Sequence, residues 1–299
     1  MEFFPKIIAW FRRPNKSVLV QYVEAFLVIL PIAFVIRTFL YGLYQVPSGS
    51  MEPTMLIGER FLADKLSVWF SSPKRGEIIS FNDPTYKYSK NKGVELVERY
   101  LWLPWGPANW TKRVIAIPGD HIKGVINDEG HPEIYLNGKK LKESYINPYP
   151  LIYYIGSDGK FQHKTYDPKF SLENQPFYRF DSYSVLRAKQ SLRANGVLNL
   201  VYPGTPYPRR EDGSFPDVFD YKLKNDEYCC IGDNRLGSHD SRVWGPLKEK
   251  DIHGKIIFRL WSHDGSASFW ITDLICHPID FWKRMRWGRC MQRLGGRRI

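Results

Sequence analysis

The sequence predicts a mainly β protein: a β-stranded body with one inserted, irregular subdomain, preceded by a single transmembrane helix. Three observations predict this class. One long apolar run lies near the N-terminus, short apolar runs bounded by Gly, Pro and Asp recur through the rest of the chain, and residues 122–226 show only weak periodicity. With 299 residues, 43% of them hydrophobic, the chain can bury a substantial core.

The long apolar run covers residues 18–36 and is interrupted only by Gln21 and Glu24. A helix of this length spans roughly 28 Å, close to the hydrocarbon thickness of a bilayer. We therefore expect one transmembrane helix over residues 18–39, which Pro31 would kink without preventing. A cleaved signal peptide is the alternative, but no small-x-small cleavage site follows the run.

The charges beside this run predict its orientation. Residues 1–17 carry four cations and one anion, whereas Arg37 is the cation that closely follows the run. Because cytoplasmic flanks are enriched in Lys and Arg, we expect residues 1–17 to be a basic cytoplasmic N-terminus and the body to be exported.

The net charge of +12 is concentrated at the two ends of the chain. Residues 1–17 contribute +3 and residues 281–299 contribute +7, so the body is close to neutral. This distribution favours anionic lipid over nucleic acid as the partner. For the basic, aromatic C-terminal tail at residues 266–299, both contact with lipid and simple solvation stay open.

Short apolar runs predict the strands of the body. They define a β core of residues 40–121 and 227–265, interrupted by the subdomain at 122–226, in which one short helix is expected near 182–194. The runs are RFLADKL (60–66), GEIISF (76–81), KRVIAI (112–117), EIYLNG (133–138), EYCCIG (227–232) and KIIFRLW (255–261).

The chain contains four cysteines, a number compatible with an oxidising compartment. Cys229 and Cys230 are adjacent on a predicted strand and should face opposite sides, so they are not expected to bridge each other. A disulfide between Cys276 and Cys290 and four free thiols are equally open. The spacing matches no metal site, and we expect neither a metal nor an organic cofactor.

The stretch PSGSM, residues 47–51, places a serine in a tight turn directly after the predicted membrane helix. Gly49 permits a sharp turn and Pro47 fixes the approach, so the hydroxyl of Ser50 can be exposed. Ser48 supplies a second hydroxyl two residues earlier. A helix N-cap or an ordinary juxtamembrane turn would use the same residues.

The stretch TKRVIAIPGD, residues 111–120, places Lys112 on an apolar strand. Alternation puts Lys112 on the same face as Val114 and Ala116, where burial would lower the pKa of the lysine. A neutral amine is a competent general base for a serine hydroxyl. A lysine that extends to solvent is the alternative.

Four motifs, taken together, resemble the conserved boxes of bacterial type I signal peptidases, also called leader peptidases. They are PSGSMEPT (47–54), PKRGEII (73–79), TKRVIAIPGD (111–120) and GDNRLGSHDSRVWG (232–245), in the family's order after a membrane segment. The resemblance implies a membrane-anchored, antiparallel β catalytic core that cleaves signal peptides after A-x-A sites.

The resemblance also implies roles for individual residues. Ser50 resembles the nucleophile and Lys112 the general base. The side chain of Ser48 and the backbone N–H of Ser50 resemble the oxyanion hole. Ser238 resembles the serine that orients the lysine, and Asp240 and Arg242 a structural ion pair. The positions that resemble the substrate pockets are Tyr44, Val46, Met51, Met55, Phe61, Trp110 and Thr111.

Three features depart from the family pattern. Family members often have two transmembrane helices where this chain shows one, and Leu-Gly precedes Ser238 where Asp-Asn or Asp-Ser is common. Residues 85–110 form a long insertion. Its tryptophans either lie at the headgroup level or pack against the body; they are Trp102, Trp105 and Trp110.

The sequence therefore predicts a single-pass serine endopeptidase of the bacterial inner membrane, with its body on the periplasmic side. Its expected partners are signal peptides of exported preproteins and anionic lipid, not nucleic acid. One alternative is a specialised processing protease of a secretion or conjugation system. Another is a non-catalytic binding protein, in which Ser50 and Lys112 would lie beyond hydrogen-bond distance.

Overall fold

The computed structural model describes residues 17–100, 105–127, 132–146, 153–155, 161–163, 199–201, 217–235, 238–263 and 270–294. The helix expected near 182–194 lies outside these residues, as does Trp102. The described strands, in chain order, are β1 (Tyr41–Gln45), β2 (Arg60–Asp64), β3 (Ile78–Asn82), β4 (Asn109–Ala116), β5 (His121–Ile126), β6 (Pro132–Leu136), β7 (Lys139–Lys140), β8 (Tyr153–Ile155), β9 (Phe161–His163), β10 (Asn199–Val201), β11 (Phe219–Lys222), β12 (Glu227–Ile231), β13 (Leu247–Lys248), β14 (Ile252–Trp261) and β15 (Gln292–Arg293). The α-helices are α1 (Val18–Val35), α2 (Lys92–Tyr100), α3 (Ser241–Trp244), α4 (Trp270–Cys276) and α5 (Pro278–Lys283).

The N-terminal helix is apolar over its whole length. Ser17 caps α1, its hydroxyl accepting a hydrogen bond from Val20 N–H at 3.4 Å. A π-helical turn, Ile36–Leu40, continues α1 to the start of β1. Together they form a helix of 23 residues, within which an 18-residue stretch has a mean hydropathy of 2.3, so the helix is long and apolar enough to cross a bilayer.

The main sheet has eight strands, all joined by antiparallel pairs. Its order is β1-β2-β14-β3-β4-β12-β13, and β15 pairs with β14. The prediction of a mainly β body is confirmed, because each of the six apolar runs overlaps a strand. The order brings β4, which carries Lys112, next to β3 and β12.

Residues between β4 and β12 form two further antiparallel sheets in their described parts. One has the order β11-β5-β6-β7 and the other β10-β8-β9. The strands near the ends of the insertion alternate charged and apolar side chains. In β5, for example, Ile122 is buried whereas His121 and Lys123 are exposed. This alternation is typical of a sheet with one solvated face.

The core lies on both faces of β4 and β12. Ile115 and Cys229 belong to a cluster with Ile122, whereas Val114 and Cys230 belong to another with Phe81. The adjacent cysteines thus face opposite sides, as the sequence predicted. All four cysteines are free. Cys276 and Cys290, for which a disulfide was one of the two alternatives, are not bonded to each other.

The C-terminal tail packs against the body in its described part, residues 270–294. Arg284 contacts Asp273 and Asp280, both at 2.8 Å, and Arg286 is buried. β15 extends the main sheet. Simple solvation therefore does not describe this part of the tail, since β15 pairs with β14 and Arg289 binds Glu59 of the body at 2.7 Å. Lipid contact of the tail stays a prediction.

The insertion at residues 85–110 forms helix α2 and two differently placed tryptophans. Arg99 of α2 is buried against the ring of Tyr88 and pairs with Glu95 at 2.8 Å. Trp105 is 70% exposed. Trp110 instead packs on the body, with its ring 6.5 Å from that of Trp244.

The buried position of Ile115 yields a test of this core. Ile115→Ala removes a fully buried side chain and leaves a cavity, so we expect the free energy of unfolding to fall by about 2–5 kcal/mol. The measurement is denaturant unfolding followed by circular dichroism. Ile126→Ala, at a position that is 42% exposed, is the matched control and should change the same quantity by less than about 1 kcal/mol. Equal losses in both variants would contradict the described core.

Candidate active site

The site is built around the short 3-10 turn Gly49–Met51, which follows β1. Asn234 holds this turn from the loop after β12. Its backbone N–H donates to the carbonyl of Ser50 at 3.1 Å, and its side-chain amide donates to the carbonyl of Gly49 at 3.0 Å. The turn is therefore fixed through its backbone, which leaves the Ser50 hydroxyl available.

Gly232, at the end of β12, permits this close approach. A Cβ atom at this position would lie 2.5 Å from the Ser50 carbonyl oxygen and 2.2 Å from Ser238 Oγ. No side chain fits at those distances. Glycine is required here because two backbone segments and Ser238 meet at this point.

Lys112 reaches the turn from β4. Its Nζ lies 2.8 Å from Ser50 Oγ, although the two residues are 62 positions apart in sequence. The lysine is only 5% exposed, and its ammonium lies over the ring of Trp110 at 6.0 Å. Lys112 therefore does not extend to solvent, which was the alternative that the sequence left open.

Burial lowers the pKa of Lys112 to about 8. Desolvation is the main cause, since a buried ammonium loses its hydration. Asp240 raises the pKa and Arg242 lowers it, so these two nearby charges act in opposite directions. The result is an amine that is partly neutral near physiological pH and in contact with a hydroxyl.

Asp240 and Arg242 form the predicted ion pair behind the lysine. Arg242 Nε donates to one carboxylate oxygen at 2.8 Å, and a terminal guanidinium nitrogen donates to the other at 2.9 Å. Gly232 N–H also donates to Asp240, at 3.0 Å. Burial opposes ionisation of this carboxyl group, but Arg242 holds the pKa of Asp240 below its usual range.

Ser238 lies at the site without the expected hydrogen bond to Lys112. Its Oγ is buried and lies near the carboxyl group of Asp240, whose pKa it helps to lower. The side chain instead packs against Gly232, whose missing Cβ leaves the space. A role in orienting the lysine stays a prediction.

A cleft of about 430 Å³ opens at Ser50 and Lys112. Ser48 and six of the seven predicted pocket residues line it. Phe61 does not, because the alternation of β2 directs its side chain into the core under Val46 and Met55. The lining consists of Tyr44, Gln45, Val46, Pro47, Ser48, Ser50, Met51, Met55, Ala108, Asn109, Trp110, Thr111, Lys112 and His239.

Sequence reasoning missed His239 and Asn234. His239 lines the cleft and packs edge-on against Trp110, with ring centroids 5.6 Å apart. The Ser-His-Asp triplet at 238–240 is not a triad, since neighbours in sequence cannot align as nucleophile, base and orienter. Both residues lie in the motif GDNRLGSHD, which could have marked them as candidates. Their contacts with the cleft and with the Ser50 turn are visible only in the tertiary structure.

The described residues contain no group of three or more His, Cys, Asp or Glu side chains that could hold a metal ion. The contact between Ser50 and Lys112 supports chemistry by a serine and a lysine. A hydroxyl within hydrogen-bond distance of a largely buried amine is suited to nucleophilic attack with the amine as general base. The contact at 2.8 Å argues against the non-catalytic alternative, which requires the two groups to be apart.

Comparison with known proteins points to one family. The profile of the family described as signal peptidase, peptidase S26, matches residues 19–261. Signal peptidase I of Aquifex aeolicus (strain VF5) is 31% identical over 246 residues, which cover 79% of this chain and 81% of that protein. Signal peptidase I of Buchnera aphidicola subsp. Baizongia pistaciae (strain Bp) is 28% identical over 262 residues, which cover 82% of this chain and 77% of that protein. Signal peptidase I of Pseudomonas fluorescens is 28% identical over 245 residues, which cover 81% of this chain and 69% of that protein.

The lowered pKa of Lys112 predicts a gain in stability when the charge is removed. Below pH 8 the lysine is protonated in both folded and unfolded chains, and its buried charge disfavours the folded state. Lys112→Met, of similar size but apolar, should therefore raise the free energy of unfolding at pH 7 by roughly 1–3 kcal/mol. The gain should shrink as pH rises from about 8 towards the pKa of an unfolded lysine, because the folded wild type loses its proton first.

Denaturant unfolding at pH 7 and at pH 10 measures this difference. Lys139→Met, at an exposed position in β7, is the matched control and should give no gain at either pH. A Lys112→Met variant that is less stable than wild type at pH 7 would show that the ammonium is not disfavoured by burial.

Proposed function

The chain belongs to the signal peptidase family, peptidase S26, and we propose that it removes N-terminal signal peptides from exported preproteins by cleaving after A-x-A sites. As a member of this family it is a serine endopeptidase. The observation that carries the proposed mechanism is the 2.8 Å contact between Ser50 Oγ and Lys112 Nζ.

In the proposed reaction, neutral Lys112 accepts the proton of Ser50 as Oγ attacks the scissile carbonyl carbon. The resulting ammonium gives this proton to the departing amine, and the C–N bond breaks to leave an acyl-serine. Lys112 then takes a proton from water, whose oxygen attacks the ester, and returns it to Ser50. No other base is needed, because the pKa of Lys112 is already lowered to about 8.

Negative charge develops on the carbonyl oxygen during both attacks. We assign its stabilisation to the hydroxyl of Ser48 and the backbone N–H of Ser50. Ser48 lines the same cleft as Ser50, in the extended backbone immediately before the 3-10 turn. Asn234, which holds the backbone of this turn, would keep the donors in place.

The backbone around the cleft can bind an extended peptide. β1 is the terminal strand of the main sheet, so one of its edges faces the cleft without a partner strand among the described residues. Residues 109–112 of β4 pair with β3 on one side, while pairing with β12 begins only at Arg113. A substrate strand could therefore add to these edges, with small side chains entering pockets lined by Val46, Met51 and Met55.

The helix before the site explains where the reaction would occur. α1 and the π-helical turn end at Leu40, ten residues before Ser50. We propose that this helix anchors the chain in the bacterial inner membrane, with residues 1–17 in the cytoplasm and the body on the periplasmic side. A cleavage site that emerges beside the bilayer is then confined near Ser50, which raises its effective concentration. Anionic lipid is the proposed surface partner and nucleic acid is not, since the body is nearly neutral.

The direct test is cleavage of preproteins by the full-length protein in vesicles. Wild type should release mature proteins from several unrelated preproteins, whereas Ser50→Ala and Lys112→Ala should each reduce the rate at least about 10³-fold. The double variant should be little worse, because the two residues act as a unit. Mass spectrometry of the new N-termini locates the cleaved bond.

Lys139→Ala, which removes an exposed lysine far from the dyad in sequence, is the control and should cleave like wild type. Full activity of Lys112→Ala would reject the mechanism. Cleavage of a single preprotein out of the panel would favour the specialised processing protease.

The pH dependence follows from the protonation of Lys112. Its ammonium form cannot act as base, so the rate should rise about tenfold per pH unit below pH 8 and level off above it. His239 also faces the cleft, and burial lowers its pKa from the ordinary value. His239→Gln should therefore leave the rise in rate up to about pH 8 unchanged. A wild-type profile that is flat from pH 6 to pH 10 would contradict a lysine base.

A further inference from the structure

The loop of residues 52–59 connects the Ser50 turn to β2 and contributes Met55 to the wall of the cleft. Met55 in this loop and Met51 just before it line the cleft, and both are almost fully buried. Val46 is tied to the end of the loop by two backbone hydrogen bonds, one with Glu59 and one with Gly58. The position of this loop therefore sets the size of the cleft beside Ser50.

On the side away from the cleft, the loop is held by a buried carboxylate. Glu59 is fully buried and accepts a hydrogen bond from Leu56 N–H at 2.9 Å. Arg259 of β14 donates to it at 3.1 Å, and Arg289 donates at 2.7 Å. Buried charges need such partners, and loss of one partner is strongly destabilising. We call Glu59, Arg259 and Arg289 the Glu59 cluster.

The same two arginines also bind backbone carbonyls of the loop. Arg289 donates to the carbonyls of Pro53 and Thr54, both at 3.2 Å, and Arg259 donates to that of Thr54 at 2.5 Å. A guanidinium can do this because it carries five donors in one plane. Each arginine thus joins the carboxylate at the end of the loop to carbonyls near its beginning.

Arg289 lies 230 positions after Glu59, in the 3-10 turn Trp287–Arg289 of the C-terminal tail. The tail is itself fixed to β14, with Met291 N–H donating to Leu260 at 3.1 Å and Leu294 N–H to Ile257 at 2.9 Å. Leu294 also packs against the apolar cluster that contains Met51 and Met55. The far end of the chain is therefore in contact with the wall of the cleft.

We propose that Arg289 is a positioning and specificity-determining residue. Through the Glu59 cluster it holds the loop of residues 52–59, keeps Met51 and Met55 in place, and thereby makes the cleft accept a small side chain before the scissile bond. This inference rests on the proposed function. Rejection of larger side chains depends on a rigid wall, since one additional methylene is worth about 10-fold or more in selectivity only if the pocket cannot expand.

The test is a competition between two peptide substrates in one reaction, with full-length protein in vesicles. The peptides differ only in the residue before the scissile bond, which is Ala in one and Val in the other. The ratio of their kcat/KM values does not depend on how much of the enzyme is folded, so general destabilisation leaves it unchanged. Arg289→Gln should lower the Ala-to-Val ratio about 5-fold to 20-fold, through faster cleavage of the Val peptide relative to the Ala peptide.

Arg293→Gln is the matched control. It removes the same charge four residues later, from an exposed side chain of β15, and should retain the wild-type ratio. Glu59→Gln should lower the ratio as well, because it removes the carboxylate that both arginines bind.

A wild-type ratio in Arg289→Gln would overturn the inference. If Arg289→Gln yields no folded protein, Arg289→Lys decides, since one ammonium cannot reach the carboxylate and both carbonyls in the plane of a guanidinium. A reduced ratio in Arg289→Lys supports the inference and a wild-type ratio overturns it. Failure of the proposed function can be told apart from failure of this inference, because the wild-type protein would then cleave neither peptide.

Discussion

The structure depends on keeping one ammonium group out of water and next to a hydroxyl. Lys112 is nearly inaccessible, its pKa is lowered to about 8, and its Nζ contacts Ser50 Oγ at 2.8 Å. Each unit of this shift costs about 1.4 kcal/mol at neutral pH, which the remaining fold must offset. The contacts that surround the lysine must therefore offset this cost. Such local instability at a functional site is a general feature of enzymes.

Two buried ion pairs hold the segments that meet at this point. Asp240 and Arg242 lie behind the lysine, where their opposite charges act on its pKa in opposite directions. Arg113, the next residue along β4, binds Asp233 at 2.6 Å and the carbonyl of Gly76 at 2.7 Å. The loop after β12 is therefore fixed to β4, and Asn234 in the same loop fixes the Ser50 turn. The serine and the lysine are aligned because both are anchored to one loop.

The cleft opens at Ser50 and Lys112, so a peptide bound in it would lie beside both residues. Residues of β1 and β4 line the cleft, as do Met51 and Met55, and the C-terminal tail contacts the same wall through Arg289 and Leu294. The helix that precedes β1 is apolar enough to cross a bilayer and ends close to the same cleft. Anchoring, substrate binding and chemistry would thus share one short segment between Leu40 and Met55.

The sequence by itself determined the class of the body and the apolar helix, and it singled out Ser50 and Lys112. These features could be predicted because strand alternation, the length of an apolar run and a short motif such as PSGSM are local properties. The opposite orientation of Cys229 and Cys230 followed from the same alternation. Phe61 shows the limit of such reasoning, since only the packing of β2 shows that its side chain joins the core cluster beneath Val46 and Met55 and does not line the cleft. The distance of 2.8 Å across 62 residues, the packing of Ser238 on Gly232 and the contact of Arg289 with Glu59 were decided by the tertiary structure alone. Contacts of this kind depend on how strands far apart in sequence are ordered in the sheet, and no local pattern encodes that order.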